Sequence, residues 1–240
     1  MARGAAVAAV LFDAAGTLIE LREPAGDTYA RCAGAFGVSL PAWRIEDALR
    51  RTVAGAPPMV FPGIGRAEAA IRERDWWRRV VRSTFLAADS SARFSDFDAC
   101  FEELYRIFSR VGSWRCRAGC REALEELYRH GIARAVVSNF DHRLPALLEG
   151  LGLASLLDAT VLPFEVGAAK PDRRIFEFAL ARLGVTPDRS VFVGDSPDRD
   201  LAAARAVGIR AIDVASLATL GELPGRLPGL VGTKRLTGDA

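Results

Sequence analysis

Residues 5–17, Ala-Ala-Val-Ala-Ala-Val-Leu-Phe-Asp-Ala-Ala-Gly-Thr, form an apolar run that ends in an acidic residue and a glycine turn. Apolar residues without polar alternation are typical of a strand covered on both faces, as in a parallel sheet. We therefore expect a buried strand over residues 5–12 and a turn over residues 13–17. The run enters this turn directly and shows no credible cleavage site, which argues against a secretory leader.

A repeated pattern in the second half of the chain predicts further strands of the same kind. Helical stretches end at Gly131, Gly184 and Gly208, and a branched apolar residue follows each glycine. Glycine is favoured there because it adopts the left-handed conformation that ends a helix. Short β-branched runs then follow at residues 132–137, 190–193 and 209–214. Helices that alternate with such strands predict an α/β fold with a doubly wound parallel sheet.

The segment between the first strand and this pattern has a helical periodicity. Apolar residues recur at spacings of four and three, which places them on one helical face: Phe97, Phe101, Leu104, Phe108 and Val111. We expect an α/β core domain formed by residues 1–20 and 112–240, with a helical domain inserted at residues 21–111. The pair Trp76 and Trp77 is expected to pack inside the insertion.

The composition argues against several classes of partner. Lysine and arginine number 32 against 30 aspartates and glutamates, so the formal net charge is only +2 over 240 residues. This balance gives no basis for binding nucleic acid or an anionic membrane surface. Four cysteines are too few for a disulfide scaffold, and no apolar run approaches the ~20 residues of a membrane helix. We therefore expect a cytoplasmic protein, and the sequence leaves its oligomeric state open.

Polar side chains follow the predicted strands where each strand ends: Asp13 and Thr17 after the first, Ser138 and Asn139 after residues 132–137, and Asp195, Ser196 and Asp200 after residues 190–193. The carboxyl ends of parallel strands form one rim, where ligands bind in open sheets, so these side chains are expected to meet. Carboxylate oxygens suit Mg²⁺. Each residue also has an ordinary structural alternative, because Asp, Ser and Asn commonly cap turns and helices.

Lys170 is the basic residue predicted to join this rim. It is one of only two lysines in the chain, the other being Lys234, and it lies just ahead of a predicted helix. A cation in that place opposes the helix dipole at a cost of about 0.3–1 kcal/mol. Arginine would serve equally well as a surface charge, so the choice of lysine indicates that a compact point charge is needed. The residues together predict a site for a metal and a phosphate.

Four short segments, in this order along the chain, resemble the four motifs of the haloacid dehalogenase-like (HAD) hydrolase superfamily: residues 10–17, 137–139, 170–171 and 193–200. The helical insertion resembles the superfamily's α-helical cap of the first type. The sequence at residues 13–18, 24–26 and 138–141 is similar to its REG-2-like branch. The resemblance implies a Rossmann-like α/β core that carries an inserted cap domain.

The resemblance also implies a covalent mechanism on a small phosphorylated metabolite. Asp13 would attack the phosphorus to give an aspartyl-phosphate, which water then hydrolyses. Mg²⁺ would be held by Asp13, Asp195 and the backbone carbonyl of Ala15. Ser138 and Lys170 would bind the transferring oxygens, and Asp200 would orient Lys170 or a metal-bound water. The residues assigned to substrate binding are Thr17, Asn139 and Ser196.

Ala15 departs from the superfamily's phosphatase pattern. In those phosphatases, the residue two positions after the nucleophile is an aspartate that protonates the leaving group and later activates water. Such general acid–base assistance contributes about 10²- to 10⁴-fold to a rate. The metal ligand at this position is a backbone carbonyl, which alanine supplies equally well.

Three functions stay open on the sequence. The first, which we favour, is a Mg²⁺-dependent phosphatase of reduced or narrow activity. The second is a metal-independent 2-haloacid dehalogenase, since those enzymes also lack the acid; Asp195 argues against it, because their fourth motif is neutral at this position. The third is a catalytically weak member of the superfamily that binds a phosphorylated ligand or a protein partner.

Overall fold

The computed structural model describes residues 6–228, and its centre is a sheet of five parallel strands. The strands of the chain, in sequence order, are β1 Ala9–Phe12, β2 Ile19–Leu21, β3 Trp114–Cys116, β4 Ala133–Val137, β5 Ala159–Val161, β6 Ser190–Gly194 and β7 Arg210–Asp213. The main sheet has the order β5-β4-β1-β6-β7. Because β1 pairs in parallel with both β4 and β6, their carboxyl ends lie side by side.

Helices cover both faces of this sheet, which confirms the predicted doubly wound α/β fold. The helices are α1 Ala25–Ala35, α2 Ala42–Gly55, α3 Arg66–Ala88, α4 Phe97–Phe108, α5 Cys120–Arg129, α6 Leu144–Gly150, α7 Pro163–Val166, α8 Arg173–Leu183, α9 Ala203–Ala206 and α10 Leu223–Arg226. Alternate residues of β1 point to opposite faces. Val10 and Phe12 join the apolar cluster that contains α5 and α6, whereas Leu11 joins the cluster that contains α8 and α9.

Helices α1 to α4 form an insertion between β2 and β3 with an apolar cluster of its own. Phe101 and Leu104 are buried in that cluster, as their spacing predicts. Val111 is not on the same helical face, because α4 ends at Phe108 and Val111 packs instead against the core, next to Gly150. Strands β2 and β3 pair antiparallel, so the chain leaves and re-enters the core through one two-stranded ribbon.

The structure differs from the sequence prediction mainly in short elements. Strand β1 begins at Ala9 rather than at residue 5. Neither the ribbon nor β5 was predicted, because runs of three residues give no usable periodicity. Residues 229–240, which the predicted core domain includes, lie outside the described part of the chain. Within residues 6–228, no helix combines the length and apolar character needed to cross a bilayer.

Candidate active site

A buried lysine lies between two carboxylates at the carboxyl edge of the sheet. Lys170 Nζ donates a hydrogen bond to Oδ1 of Asp13 at 2.6 Å and lies 2.6 Å from Oδ1 of Asp200. All three side chains are almost completely buried. Asp13 follows β1 directly, and its backbone N–H donates to the carbonyl of Val193 in β6. The parallel pairing of β1 with β6 therefore fixes where the Asp13 carboxylate stands.

Asn139 holds the backbone of Lys170 in place. Its Nδ2 donates to the Lys170 carbonyl at 2.8 Å, and the Lys170 N–H donates to its Oδ1 at 2.7 Å. Below the ammonium, the ring of Phe192 lies with its centroid 5.3 Å from Nζ. The structure thus shows Asn139 in a positioning contact, and its predicted role in substrate binding stays a prediction. Its side-chain amide is engaged with Lys170, although it does border the cavity described below.

A wide helical turn over Pro197–Ala202 brings Asp200 back under the rim. Leu201 N–H donates to the Ser196 carbonyl five residues earlier, the π-helical spacing that recurs at functional sites. Asp200 Oδ2 accepts from the backbone N–H of Ser196 at 3.1 Å. Ser196 Oγ accepts from Arg199 N–H, so its hydroxyl caps this turn. Ser196 also borders the cavity, so its predicted substrate contact stays a prediction.

Two glycines make room for the acidic side chains. A Cβ built on Gly16, which has φ +90°, would lie 2.4 Å from Oδ2 of Asp195. A Cβ on Gly194 would lie 2.6 Å from Oδ2 of Asp200 and 2.7 Å from its Cβ. Because real Cβ atoms do not approach so closely, only glycine lets these carboxylates crowd against the strand ends.

Asp13, Asp195 and Asp200 form an acidic cluster that fits a divalent cation. Each offers an oxygen, and these oxygens lie within 4.8 Å of one another. Loss of solvent, with the nearby charges of Asp13 and Asp200, raises the pKa of Asp195 to about 6. When all three carboxylates are ionised, they face only the Lys170 ammonium, so the cluster has an excess of two negative charges. The hard oxygen donors and this excess match what Mg²⁺ requires.

Burial and ion pairing have opposite effects on the pKa values of Asp13 and Lys170. Burial raises the pKa of Asp13, and the Asp200 charge adds to this, while the Lys170 ammonium opposes both. Burial would by itself lower the pKa of Lys170, but the charges of Asp13 and Asp200 outweigh it and raise that pKa. Lys170 is therefore held as an ammonium at neutral pH.

A cavity of about 230 Å³ opens above these groups, and we call it the acidic cavity. Its wall includes residues expected from the sequence, namely Asp13, Ala15, Ser138, Asn139, Lys170, Asp195, Ser196 and Asp200. Ser138 Oγ accepts from Phe140 N–H at 3.3 Å. Thr17 is absent from this wall: it is fully buried and its hydroxyl has no hydrogen-bond partner among the residues described. The structure therefore does not support the predicted substrate contact at Thr17.

Trp77, Phe140 and Arg199 also line the acidic cavity, although no sequence pattern points to a role for them there. Both tryptophans pack against apolar residues of the insertion, as expected, and Trp77 also extends to the core. Trp77 Nε1 donates to Oδ2 of Asp141 at 2.7 Å, and Asp141 is buried in the loop after β4. The insertion therefore supplies part of the wall through a buried hydrogen bond.

A second buried contact joins α3 to the same loop. Glu73, on α3, accepts hydrogen bonds from the backbone N–H of His142 at 3.0 Å and pairs with its Nδ1 at 2.6 Å. Burial raises the pKa of Glu73. Glu73, Asp141 and His142 belong to the contact between insertion and core, and none of them lines the acidic cavity.

A family model for haloacid dehalogenase-like hydrolases matches residues 7–208. The chain belongs to this family. It is 38% identical over 207 residues to haloacid dehalogenase-like hydrolase domain-containing protein 3 of Mus musculus, covering 85% of this chain and 80% of that one. It is 28% identical over 209 residues to the rhythmically expressed gene 2 protein of Drosophila melanogaster, covering 83% and 79%. These relatives confirm the REG-2-like branch of the HAD superfamily.

Solved structures of the HAD superfamily share the fold. A HAD phosphatase from Thermococcus onnurineus superposes with a TM-score of 0.60 at 22% identity, covering 91% of this chain and 96% of the other. The L-2-haloacid dehalogenase from Xanthobacter autotrophicus superposes with a TM-score of 0.63 at 20% identity, covering 95% and 85%. Because both a phosphatase and a dehalogenase match equally well, the fold does not choose between these reactions.

Replacing Gly194 tests the crowding at the strand end. We expect Gly194→Ala to lower the free energy of unfolding by about 1–3 kcal/mol, because the new Cβ overlaps Asp200. Gly34→Ala is the matched control: Gly34 lies within α1 with no atom near its missing Cβ, so alanine should stabilise by roughly 0.5–1 kcal/mol. Urea denaturation of both variants measures the two effects, and a similar shift for both would contradict the account.

Proposed function

We propose that this HAD-like hydrolase is a phosphatase that cleaves a small phosphorylated metabolite through an aspartyl-phosphate on Asp13. The observation that carries the proposal is the buried contact of Lys170 with Asp13 and Asp200, beside the partly exposed Asp195. A lysine and a carboxylate at the floor of a polar cavity suit an anionic, electrophilic group. The helical insertion would act as a cap over the cavity. We propose that the protein is located in the cytoplasm.

Mg²⁺ is the cofactor we propose, because the oxygens of Asp13 and Asp195 provide hard donors at the right place. The carbonyl of Ala15, on the wall of the same cavity, would complete the protein's share of the ligands. When bound, the cation neutralises charge on the phosphoryl oxygens and lets an anionic substrate approach the carboxylates. Asp195 is the residue that distinguishes this proposal from a dehalogenase, since a further carboxylate would repel a haloacid.

The reaction begins with Asp13. Its Oδ1 is held by Lys170, and we assign Oδ2 to the attack on phosphorus. As this bond forms, the bond from phosphorus to the leaving-group oxygen breaks, and that oxygen keeps the electron pair and takes a proton from water. Lys170 and the hydroxyl of Ser138 would donate to the phosphoryl oxygens, where negative charge is concentrated in the transition state. Asn139 and Asp200 keep the ammonium aligned through their contacts with the Lys170 backbone and Nζ. Water then attacks the phosphorus of the intermediate, and the bond from phosphorus to Asp13 breaks.

Replacing the nucleophile tests the proposal. We expect Asp13→Asn to abolish the Mg²⁺-dependent hydrolysis of p-nitrophenyl phosphate, because an amide oxygen is a poor nucleophile. Asp188→Asn, at an exposed position outside the acidic cavity, is the control and should keep full activity. Turnover that survives Asp13→Asn would contradict the proposal. So would chloride release from 2-chloropropionate in a chelator, or stabilisation by phosphorylated ligands without any turnover.

Placing an acid at position 15 tests whether the missing proton donor limits the rate on alkyl phosphates. We expect Ala15→Asp to raise turnover of an alkyl phosphate such as glycerol phosphate by roughly 10²- to 10⁴-fold, the usual effect of general acid–base catalysis. Ala15→Asn has the same size but cannot transfer a proton, so it should give no gain. The kcat of both variants on glycerol phosphate measures the difference. Equal gains, or no gain in either, would show that the missing acid does not limit the rate.

A further inference from the structure

A second cavity, which we call the apolar chamber, lies between the insertion and the core. It has a volume of about 110 Å³. Side chains from the insertion form most of its wall, among them Ala25, Tyr29, Val81, Phe101, Leu104 and Tyr105. Nearly all of the surface it presents is carbon, in contrast to the acidic cavity. A site of this kind excludes strongly hydrated groups and favours an apolar ligand.

The apolar chamber adjoins the acidic cavity. Trp77 and Phe140 line both, so the two cavities share these aromatic side chains as a common wall. The other end of a ligand whose phosphoryl group lies over Asp13 would reach the chamber by passing these two side chains. This other end is the leaving group of the reaction.

The size of the chamber fits a single aromatic ring. A cavity of about 150 Å³ lined by aliphatic and aromatic side chains, in another protein, stays dry and binds benzene. The chamber here is of the same order, and its wall carries the rings of Tyr29, Phe101 and Trp77. Aromatic rings pack favourably against one another in offset or edge-on arrangements. A sugar would gain little there, because its hydroxyls would find few partners.

The one charged side chain in the chamber wall, Arg143, is already paired. Arg143 is neutralised by Asp141, to which Nε donates at 2.8 Å and Nη2 at 2.5 Å, and its guanidinium lies 4.1 Å from the ring centroid of Tyr105. The chamber therefore offers no unpaired charge to bind an anion. The buried hydroxyl of Tyr105 has no hydrogen-bond partner within residues 6–228. It is also closed to solvent, so it adds no polar surface to the chamber.

The chemistry at position 15 selects the same class of leaving group. With alanine there, no side chain at that position protonates the departing oxygen. A phenol has a pKa of about 10, as in tyrosine. An alkyl alcohol is a far weaker acid, comparable to water, whose pKa is about 15.7. A phenolate therefore departs without a proton far more readily than an alkoxide does.

From these two independent observations we infer that the substrate is an aryl phosphate whose ring occupies the apolar chamber. The inference rests on the proposed phosphatase function and names its substrate class. Asp13 Oδ2 forms a bond to phosphorus while the bond from phosphorus to the aryl oxygen breaks. The electron pair of that bond stays on the phenolate, which takes a proton from water.

Filling the chamber tests the inference. Ala25→Leu places a larger side chain in the wall, and Ala87→Leu makes the same change at an exposed position of α3. Phenyl phosphate and acetyl phosphate both have leaving groups that need no proton, but only phenyl phosphate carries a ring. We expect Ala25→Leu to lower kcat/KM for phenyl phosphate by at least roughly 10- to 200-fold, the range for a single methylene in an apolar pocket, because leucine adds three carbons.

Acetyl phosphate turnover by Ala25→Leu should stay within about twofold of wild type, which also shows that the variant is folded. Ala87→Leu should change neither activity. An equal loss on both substrates, or no loss on phenyl phosphate, would overturn the inference. Turnover of both substrates that survives Asp13→Asn would instead contradict the proposed phosphatase function.

Binding of phenol supplies a readout that does not depend on turnover. Calorimetry on Asp13→Asn should detect phenol binding, because Asp13 is not part of the chamber wall. The double variant with Ala25→Leu should lose it. Failure of phenol to bind Asp13→Asn, or equal binding to both proteins, would contradict a ring site even if Asp13 is the nucleophile.

Discussion

The ammonium of Lys170, placed 2.6 Å from both Asp13 and Asp200, is the contact on which the site depends. Without this ammonium, the two buried carboxylates of Asp13 and Asp200 would repel each other. Removing one partner of a buried ion pair costs about 3–5 kcal/mol, because the remaining charge stays uncompensated. Several elements therefore hold this lysine: the Asn139 amide, the ring of Phe192 and the wide turn that carries Asp200. Asp195 remains at the cavity, where a cation can reach it.

The sequence predicts the sheet and the acidic rim because both follow from position along strands. A polar residue directly after a buried parallel strand must lie at the carboxyl edge, so Asp13, Ser138 and Asp195 could be brought together without a structure. Side-chain direction cannot be predicted in this way. Asn139 and Thr17 also follow strands, yet Asn139 bonds to the Lys170 backbone and Thr17 is buried away from the cavity.

The insertion was predicted as helical, but its contribution to the site was not. Trp76 and Trp77 are adjacent and chemically equal in the sequence, and only the packing of α3 on the loop after β4 decides that Trp77 reaches the cavity. The partner that fixes it, Asp141, lies 64 residues further along the chain. Under the proposed function, the core would supply the groups for phosphoryl chemistry, while the insertion supplies an apolar surface beside them.

The central claim is that Asp13 becomes phosphorylated, and the most direct measurement is mass spectrometry of protein quenched in acid during turnover of an aryl phosphate. Without an acid–base residue at position 15, hydrolysis of the proposed intermediate should be slow, so the phosphoenzyme should accumulate. The account predicts one phosphoryl group on the peptide that contains Asp13, present with Mg²⁺ and lost when substrate is exhausted. Phosphate release with no modified peptide, or with the phosphoryl group on another residue, would contradict it.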